Sequence, residues 1–364
     1  MRHRVPVPAF ITLAEKSSII FPGGVSKEAM GGRNMTVDGL AGAARALTAD
    51  GAALSGDAGL RHAALLYDST DFGPVVAIAR HAAQEGSPLH IVVPAATLRL
   101  VSAALPPPPR RMVFADMADL GRNPARLIAA GHSFADKHRR DRVCCLWEPA
   151  WPGRSAPEML EVARHEALCN IAFRGREMTI VCLYDTARLP AAVINDAART
   201  HPVVITSGTQ RLSPAYLGAG HLPPGCDDPL PPPAPDAVSI GFDGRLGPVR
   251  EFSAARARAA GLESARVSDL VIAVSEIAAN ALSHAAGGGV VRSWCTSQEV
   301  LCQIEDDGHI ADPLAGRRRL PADARGGHGL WLVNVVCDLV ERRTSAAGTV
   351  TRLHMRRESS RSGR

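Results

Sequence analysis

The sequence is short of aromatic side chains, which make up 4% of its 364 residues. Surfaces that bind nucleic acid interleave aromatic and basic residues. No basic run here does so and the net charge is only +5, so no direct nucleic-acid partner is expected. Long apolar runs are also missing: none approaches the roughly 18 residues that a membrane-crossing helix needs, and no membrane partner is expected. The apolar stretch Phe10 to Leu13, behind the basic N-terminal residues, is too short for a signal peptide and lacks a small-residue cleavage site. The eight cysteines (Cys144, Cys145, Cys169, Cys182, Cys226, Cys295, Cys302 and Cys337) form no Cys-x-x-Cys pair. They read as small core residues of a cytoplasmic protein, not as zinc ligands or a disulfide framework. No Gly-x-x-x-x-Gly-Lys-Ser/Thr loop occurs, which argues against a P-loop nucleotidase.

What is present is a chain with 46% hydrophobic and 21% charged residues, long enough for two or three domains. Residues 1–58 lack sustained periodicity and carry Gly23-Gly24 and Gly31-Gly32, so they are expected to be irregular. Over 59–207 short apolar strands alternate with helices: Ala63 to Tyr67, Leu89 to Val93, Met112 to Ala115, Val143 to Trp147, Met178 to Leu183 and Val203 to Thr206. That alternation predicts α/β architecture with a parallel sheet covered on both faces and ligands at the carboxyl ends of its strands. Asn123 is read as the N-cap and Pro124 as the first residue of a helix. Residues 208–244, with Pro229, Pro231 to Pro233 and Pro235, read as a semi-rigid linker. A further domain is expected over 245–357, with a disordered tail at 358–364.

The linker leads to a helix with chemistry on one stripe. Val267, Leu270, Val271, Val274, Ala278 and Ala281 fall on one face at the 3.6-residue period, and Glu276, Asn280 and His284 recur every fourth residue beside them. A carboxamide can bind Mg2+ and a carboxylate one turn away can deprotonate an attacking hydroxyl. Two strand-like runs follow, then the acidic turn Asp306-Asp307-Gly308-His309-Ile310 and a basic connector with Arg317, Arg318 and Arg319. Gly326-Gly327-His328-Gly329-Leu330 then opens an apolar helical pattern through Leu339, and a strand with Gly348-Thr349 closes the series. A glycine turn at a helix start leaves N–H groups free for phosphate.

These pieces in this order resemble the GHKL (Bergerat) ATPase domain shared by gyrase and histidine kinases, an α/β sandwich, in its RsbW-like anti-sigma-factor serine kinase form. The resemblance implies Glu276 as general base and Asn280 as the ligand of Mg2+. It implies Asp306 as the adenine-reading aspartate with Gly308, a second glycine box at Gly327, Gly329 and Leu330, and Thr349 near the adenine. The family's Asp-x-Gly-x-Gly has Ile310 in place of its second glycine here, and Ile does not share glycine's access to positive φ, so the lid hinge is expected to differ. Arg317 to Arg319 fall where the family has its ATP lid, either to neutralise triphosphate or meet an acidic partner, or as a solvated charge run.

The run His62-Ala63-Ala64-Leu65-Leu66-Tyr67, with Gly121 to Arg126, Glu148 to Arg154 and Arg164-His165-Glu166-Ala167-Leu168, resembles the MEDS sensory domain of methanogen and methylotroph regulators. That resemblance implies a RecA- or KaiC-like fold and a sensor of small organic ligands. His62, Tyr67, Glu148, Arg154, His165 and Glu166 are the candidate sensory pocket. The alternative is structural: interior hydrogen bonds for His62 and His165, and a Glu148–Arg154 ion pair fixing the proline turn. A metal site in this half is not expected, because no His-x-x-x-His or carboxylate–His spacing recurs.

Together the resemblances imply a signal-responsive anti-sigma-factor-type regulator that binds ATP and Mg2+ and phosphorylates a serine or threonine of an anti-anti-sigma (antagonist) protein. A sigma factor is the other implied partner, and the family's habit implies a homodimer. The alternative is a non-catalytic ATP-binding module that sequesters a transcription regulator. A histidine kinase is set aside, since the proline-rich stretch leaves no room for a dimerising helical hairpin before the ATP domain.

Overall fold

Two sheets, each with its own core, organise the computed structural model, which describes residues 59–105, 111–284, 287–319 and 327–357. The expected irregular N-terminus, the Pro106 to Pro109 turn, Gly326 and the C-terminal tail lie outside the described residues. The first sheet has seven strands in the order β3-β2-β4-β5-β1-β6-β7. They are β1 (Leu60–Tyr67), β2 (Leu89–Val93), β3 (Met112–Asp116), β4 (Val143–Trp147), β5 (Met178–Asp185), β6 (Val203–Thr206) and β7 (Thr209–Leu212). All neighbours pair parallel except β6 and β7, which pair antiparallel. Strands β2, β4 and β5 are buried at every residue, as central strands covered on both faces must be.

Helices α1 (Gly73–Gln84), α2 (Ala95–Ala104), α3 (Met117–Leu120), α4 (Ala125–Lys137), α5 (Ala156–Ala172) and α6 (Ala191–Thr200) connect these strands. One core cluster joins Val75, Ile78 and Leu98 to one face of the sheet. Another joins Leu127, Leu168 and Phe173 to the other face. Helix α5 begins with a capping box, Ser155 and Glu158 each accepting from the other's backbone N–H. The short helix α3 was not expected, and Pro124 is the N-cap of α4 rather than its first helical residue. Asn123 Oδ1 still accepts from the Ala125 N–H at 3.1 Å.

The second sheet has five antiparallel strands in the order β11-β12-β10-β9-β8. They are β8 (Val238–Phe242), β9 (Gly289–Cys295), β10 (Glu299–Asp306), β11 (Leu339–Ser345) and β12 (Gly348–Arg356). Its residues alternate strictly. Val291, Val300, Cys302, Ile304, Leu353 and Met355 pack against α7 (Gly247–Ala259), α8 (Ser264–His284) and α9 (Gly329–Val336), while Gln303, Arg352 and His354 take the opposite face. Two strands lie within the stretch expected to be linker: β7 extends the first sheet and β8 the second. Leu339, expected on the last helix, instead opens β11, because Cys337 turns to an extended backbone and ends α9 at Val336.

Candidate functional site

Helix α8 carries Glu276 and Asn280 one turn apart, both half-buried, while Val274, Ala278 and Ala281 on the adjoining face are in the core. The carboxylate faces the start of α9: a Cβ placed on Gly329 would come within 2.3 Å of Glu276 Oε2. Only glycine lets that carboxylate sit at the first turn of α9. Asp306 ends β10 opposite Thr349 of β12. Its Oδ1 accepts from the Gly308 N–H at 2.8 Å, and Thr349 Oγ1 donates to the Gly308 carbonyl at 2.8 Å. Burial lifts the Asp306 carboxyl above its ordinary pKa, with the Gly308 N–H opposing.

The structure therefore brings Glu276 to Gly329, and Asp306 to Gly308 and Thr349. No hydrogen bond joins the two groups among the described residues. A depression of about 530 Å³ borders Asp306 and is lined by Phe242, Gly288, Glu305 and Asp307, but Glu276 and Asn280 do not border it. Ile310 keeps an ordinary backbone, since Ser207 is the one described non-glycine residue with positive φ, and its N–H donates to Thr344 Oγ1 at 3.2 Å. The left-handed turn in this connector falls later, at Gly316 with φ 78°.

The six sensory candidates separate into different places. Tyr67 and Glu148 lie at the carboxyl ends of β1 and β4, where the Tyr67 hydroxyl donates to Glu148 Oε1 at 2.8 Å. Burial pushes the Glu148 carboxyl up to about 7 against the opposing pull of the Thr97 and Tyr67 hydroxyls, and its buried Oε2 has no well-aligned hydrogen bond among the described residues. Asp185 faces the same pair from the end of β5 and raises both values further. His62 and Glu166 meet elsewhere, beneath α5, at 3.1 Å. His165 packs against Trp147, with its Nδ1 unpartnered among the described residues, and burial lowers it to about 3. The Glu148–Arg154 ion pair does not form. Arg154 Nε donates to the Pro149 carbonyl at 2.6 Å, Nη2 to that of Gly121 at 2.7 Å, and the guanidinium stacks on Trp151. Arg154 thus does fix the proline turn, through carbonyls.

Two family models match the chain. Residues 61–202 match the methanogen/methylotroph, DcmR sensory (MEDS) domain, and residues 243–355 match the histidine kinase-like ATPase domain. The chain joins a MEDS domain to a histidine kinase-like ATPase domain. No curated protein matches it. Among solved structures, the RsbU and RsbW domains of a Mycobacterium tuberculosis protein are 22% identical, covering 34% of this chain and 33% of that one with a TM-score of 0.26. This chain spans about a third of that structure, and the likeness is too slight to carry an argument.

The MEDS and ATPase domains meet at the base of the connector that follows Asp306. Leu314 is buried in the MEDS core cluster that also holds Leu127 and Trp147. Arg317 is 6% exposed and pairs with Glu161 of α5, so the basic run is not a uniform solvated face. Arg318 and Arg319 do stay exposed. Asn334 of α9 donates to the Gly316 carbonyl at 3.1 Å and accepts at Oδ1 from buried Asn123 of the MEDS domain at 3.1 Å. Arg122 pairs with buried Asp338 at 2.9 Å. A Cβ at Gly316 would fall 2.8 Å from Leu330, so the connector base lies directly on α9. Sequence reasoning missed Asn123, Glu161 and Asn334 as a clasp. Only the arginine run hinted at it, and its acidic partner is within the same chain.

Proposed function

We propose that this chain is an anti-sigma-factor-type regulator whose ATPase domain binds ATP with Mg2+ and phosphorylates a serine or threonine of an antagonist protein. The observation that carries this reading is the carboxylate of Glu276, one helical turn from Asn280 and seated against Gly329, where a Cβ would displace it. The residues fit such a group: Asn280 offers the carboxamide oxygen for Mg2+, Gly327 and Gly329 open α9 as the phosphate turn, and Asp306 with Gly308 and Thr349 presents a held carboxylate for the adenine amino group. Mg2+ supplies charge neutralisation across the phosphates when bound. Glu276 takes the proton from the antagonist's hydroxyl as that oxygen bonds to the terminal phosphorus. The bond from that phosphorus to the bridging oxygen breaks, and ADP leaves.

The signal enters at the MEDS domain. Tyr67, Glu148 and Asp185 at the strand ends suit a small organic molecule bearing a hydroxyl or amine donor for the unpartnered Glu148 Oε2. The Glu161–Arg317 and Asn123–Asn334 contacts would pass a shift of the MEDS helices to the connector that covers the nucleotide. A second reading, a non-catalytic ATP-binding module, is favoured by Ile310, which leaves the first hinge position without glycine's freedom.

Incubation with labelled ATP and a candidate antagonist tests the proposal. Glu276→Ala should lower transfer by about 10²- to 10⁴-fold with ATP binding kept, the usual loss for a general base. Asn280→Ala should weaken Mg-ATP binding itself. Tight ATP binding with no transfer by the parent protein would support the second reading, and equal effects of the two variants would count against both assignments.

A further inference from the structure

Beneath α5, on the side of the MEDS sheet away from the strand-end residues Tyr67 and Glu148, four potential ligands converge from four segments: His62 of β1, Glu166 of α5, Cys182 of β5 and His201 after α6. All four are fully buried. His62 Nε2 lies 3.1 Å from Glu166 Oε2, His201 Nε2 lies 3.4 Å from the same oxygen, Cys182 Sγ lies 3.1 Å from it, and Cys182 Sγ lies 3.6 Å from His62 Nε2. In a tetrahedron with metal bonds of about 2.0 to 2.3 Å, neighbouring ligand atoms are roughly 3.3 to 3.7 Å apart. The four groups already stand near that spacing.

The imidazoles are turned the way ligands are turned. His201 Nδ1 lies 2.8 Å from the Ala197 carbonyl, so it carries its proton there. His62 Nδ1 lies 3.0 Å from Asn170 Oδ1. The Asn170 amide is fixed in turn, because its Nδ2 donates to the carbonyls of Glu166, Ala167 and Thr200. Its oxygen must therefore face His62 and accept the Nδ1 proton. Both rings then present Nε2 lone pairs to a carboxylate and a thiol, and His201 Nε2 has no hydrogen-bond partner among the described residues. Lone pairs aimed at a buried carboxylate repel unless a shared proton or a metal cation lies between them, and the near-tetrahedral spacing suits the metal. Metal-bound histidines recurrently show the other ring nitrogen anchored to a carbonyl in this manner.

We infer that His62, Glu166, Cys182 and His201 form a tetrahedral site for a divalent transition-metal ion, zinc being the ion this ligand set fits best. Two neutral imidazoles, one carboxylate and one thiolate leave a divalent ion with zero net charge, which a fully buried site requires. As the ion binds during folding, the Cys182 thiol releases its proton to solvent and its sulfur bonds to the metal, with no change of oxidation state. The second grouping nearby, His165, Glu166 and Cys169, comes from one helix and offers only three ligands. Tyr184 already donates to the remaining Glu166 oxygen at 3.2 Å. With the ligands out of solvent, the ion enters as the domain folds rather than by exchange.

The test counts metal in the full chain, purified without chelator and free of nucleotide. One zinc per chain is expected by elemental analysis, reduced several-fold in Cys182→Ser and His201→Gln but retained in Cys302→Ser, a buried cysteine of the ATPase sheet. Because a ligand variant can fail to fold, the parent chain is also unfolded and refolded with either Co2+ or a chelator. Cobalt should give the intense visible bands of a tetrahedral centre and a sulfur-to-metal charge-transfer band. A chain that refolds equally well in chelator and takes up neither zinc nor cobalt overturns the inference, leaving a cluster that shares protons. Cobalt bound without the sulfur band overturns the assignment of Cys182.

Discussion

The two sheets of this chain treat buried charge in opposite ways. The antiparallel sheet of the ATPase domain keeps most of its charges on one face, Asp306 and Arg342 excepted, and links them across strands: Arg352 donates to Gln303, Arg292 pairs with Glu305, and His354 lies between Glu299 and Glu341. The parallel MEDS sheet has no solvated face to use. Its polar groups are held inside, at the strand ends or under α5, and several lack partners among the described residues, including Glu148 Oε2, His165 Nδ1 and His201 Nε2. Cross-strand pairs stabilise a sheet, whereas a buried group without a partner destabilises it and is retained where it binds something. The candidate ATPase residues lie elsewhere, on α8, at the start of α9 and at the ends of β10 and β12.

The seam between the halves should give the largest effect. Glu161→Ala leaves the Arg317 guanidinium buried beside Arg342 without its carboxylate, a loss of about 3 to 5 kcal/mol for one partner of a buried pair. Calorimetry should show the single transition of the parent chain split in two, as the domains uncouple. Glu161→Leu combined with Arg317→Leu should restore much of the coupling, since it removes both charges at once. Two separate transitions in the parent chain would show that the clasp does not bind the domains together.

The same contrast explains what could be read from the sequence. The stripe of Glu276 and Asn280 was legible because one helix holds both residues at fixed spacing, and strands β2, β4 and β5 were legible because burial on both faces makes their runs mostly apolar, with His90, Thr179 and Asp185 as the polar exceptions. The cluster under α5 was not: His62 meets Glu166 across 104 positions and Cys182 across 120, so no local spacing announces it, and the expectation of no metal site rested on local spacing alone. Strands β7 and β8 were hidden for another reason. Both are short edge strands flanking the prolines with mostly exposed residues: β7 has no apolar alternation, whereas β8 alternates Val238, Ile240 and Phe242 but is only five residues long and sits just behind the proline run. Leu339 continued the helical stripe in sequence, and only the extended backbone at Cys337 separates α9 from β11.

A smaller effect should follow from neutralising a charge inside the MEDS domain. The Glu148 carboxyl lies at about 7 when folded against 4.5 when free, so its ionised form is disfavoured by folding. Its contribution to stability therefore worsens as pH rises from 4.5 through 7 and is at its worst above that. The difference corresponds to about 3 kcal/mol as an upper figure. Glu148→Gln still accepts from Tyr67 and should raise the melting temperature at pH 8 but scarcely at pH 4. An equal rise at both values would mean that burial of the charge is not what matters there.

The smallest change should come from the paired charges of the ATPase sheet, and with a different pH window. His354 donates from Nδ1 to Glu299 at 3.0 Å and from Nε2 to Glu341 at 2.9 Å. Burial alone would lower its pKa, but the two carboxylates outweigh burial and raise it. Its stabilising effect is then fully present below the unfolded value of 6.5 and is lost as pH rises through the raised folded value. Glu299 is lowered first by its bond to His354, and Glu341 is lowered by the same ring against its own burial. Their stabilisation is present above the unfolded value of 4.5 and is lost as pH falls through the lowered ones. His354→Gln replaces charged bonds with neutral ones and should destabilise the domain by about 1 to 2 kcal/mol at pH 6, with little change at pH 9. The two variants thus act in opposite directions: removing a charge that has its partners weakens the sheet, while removing one that lacks them strengthens it. A His354→Gln protein more stable than its parent at pH 6 would erase the distinction between the two sheets.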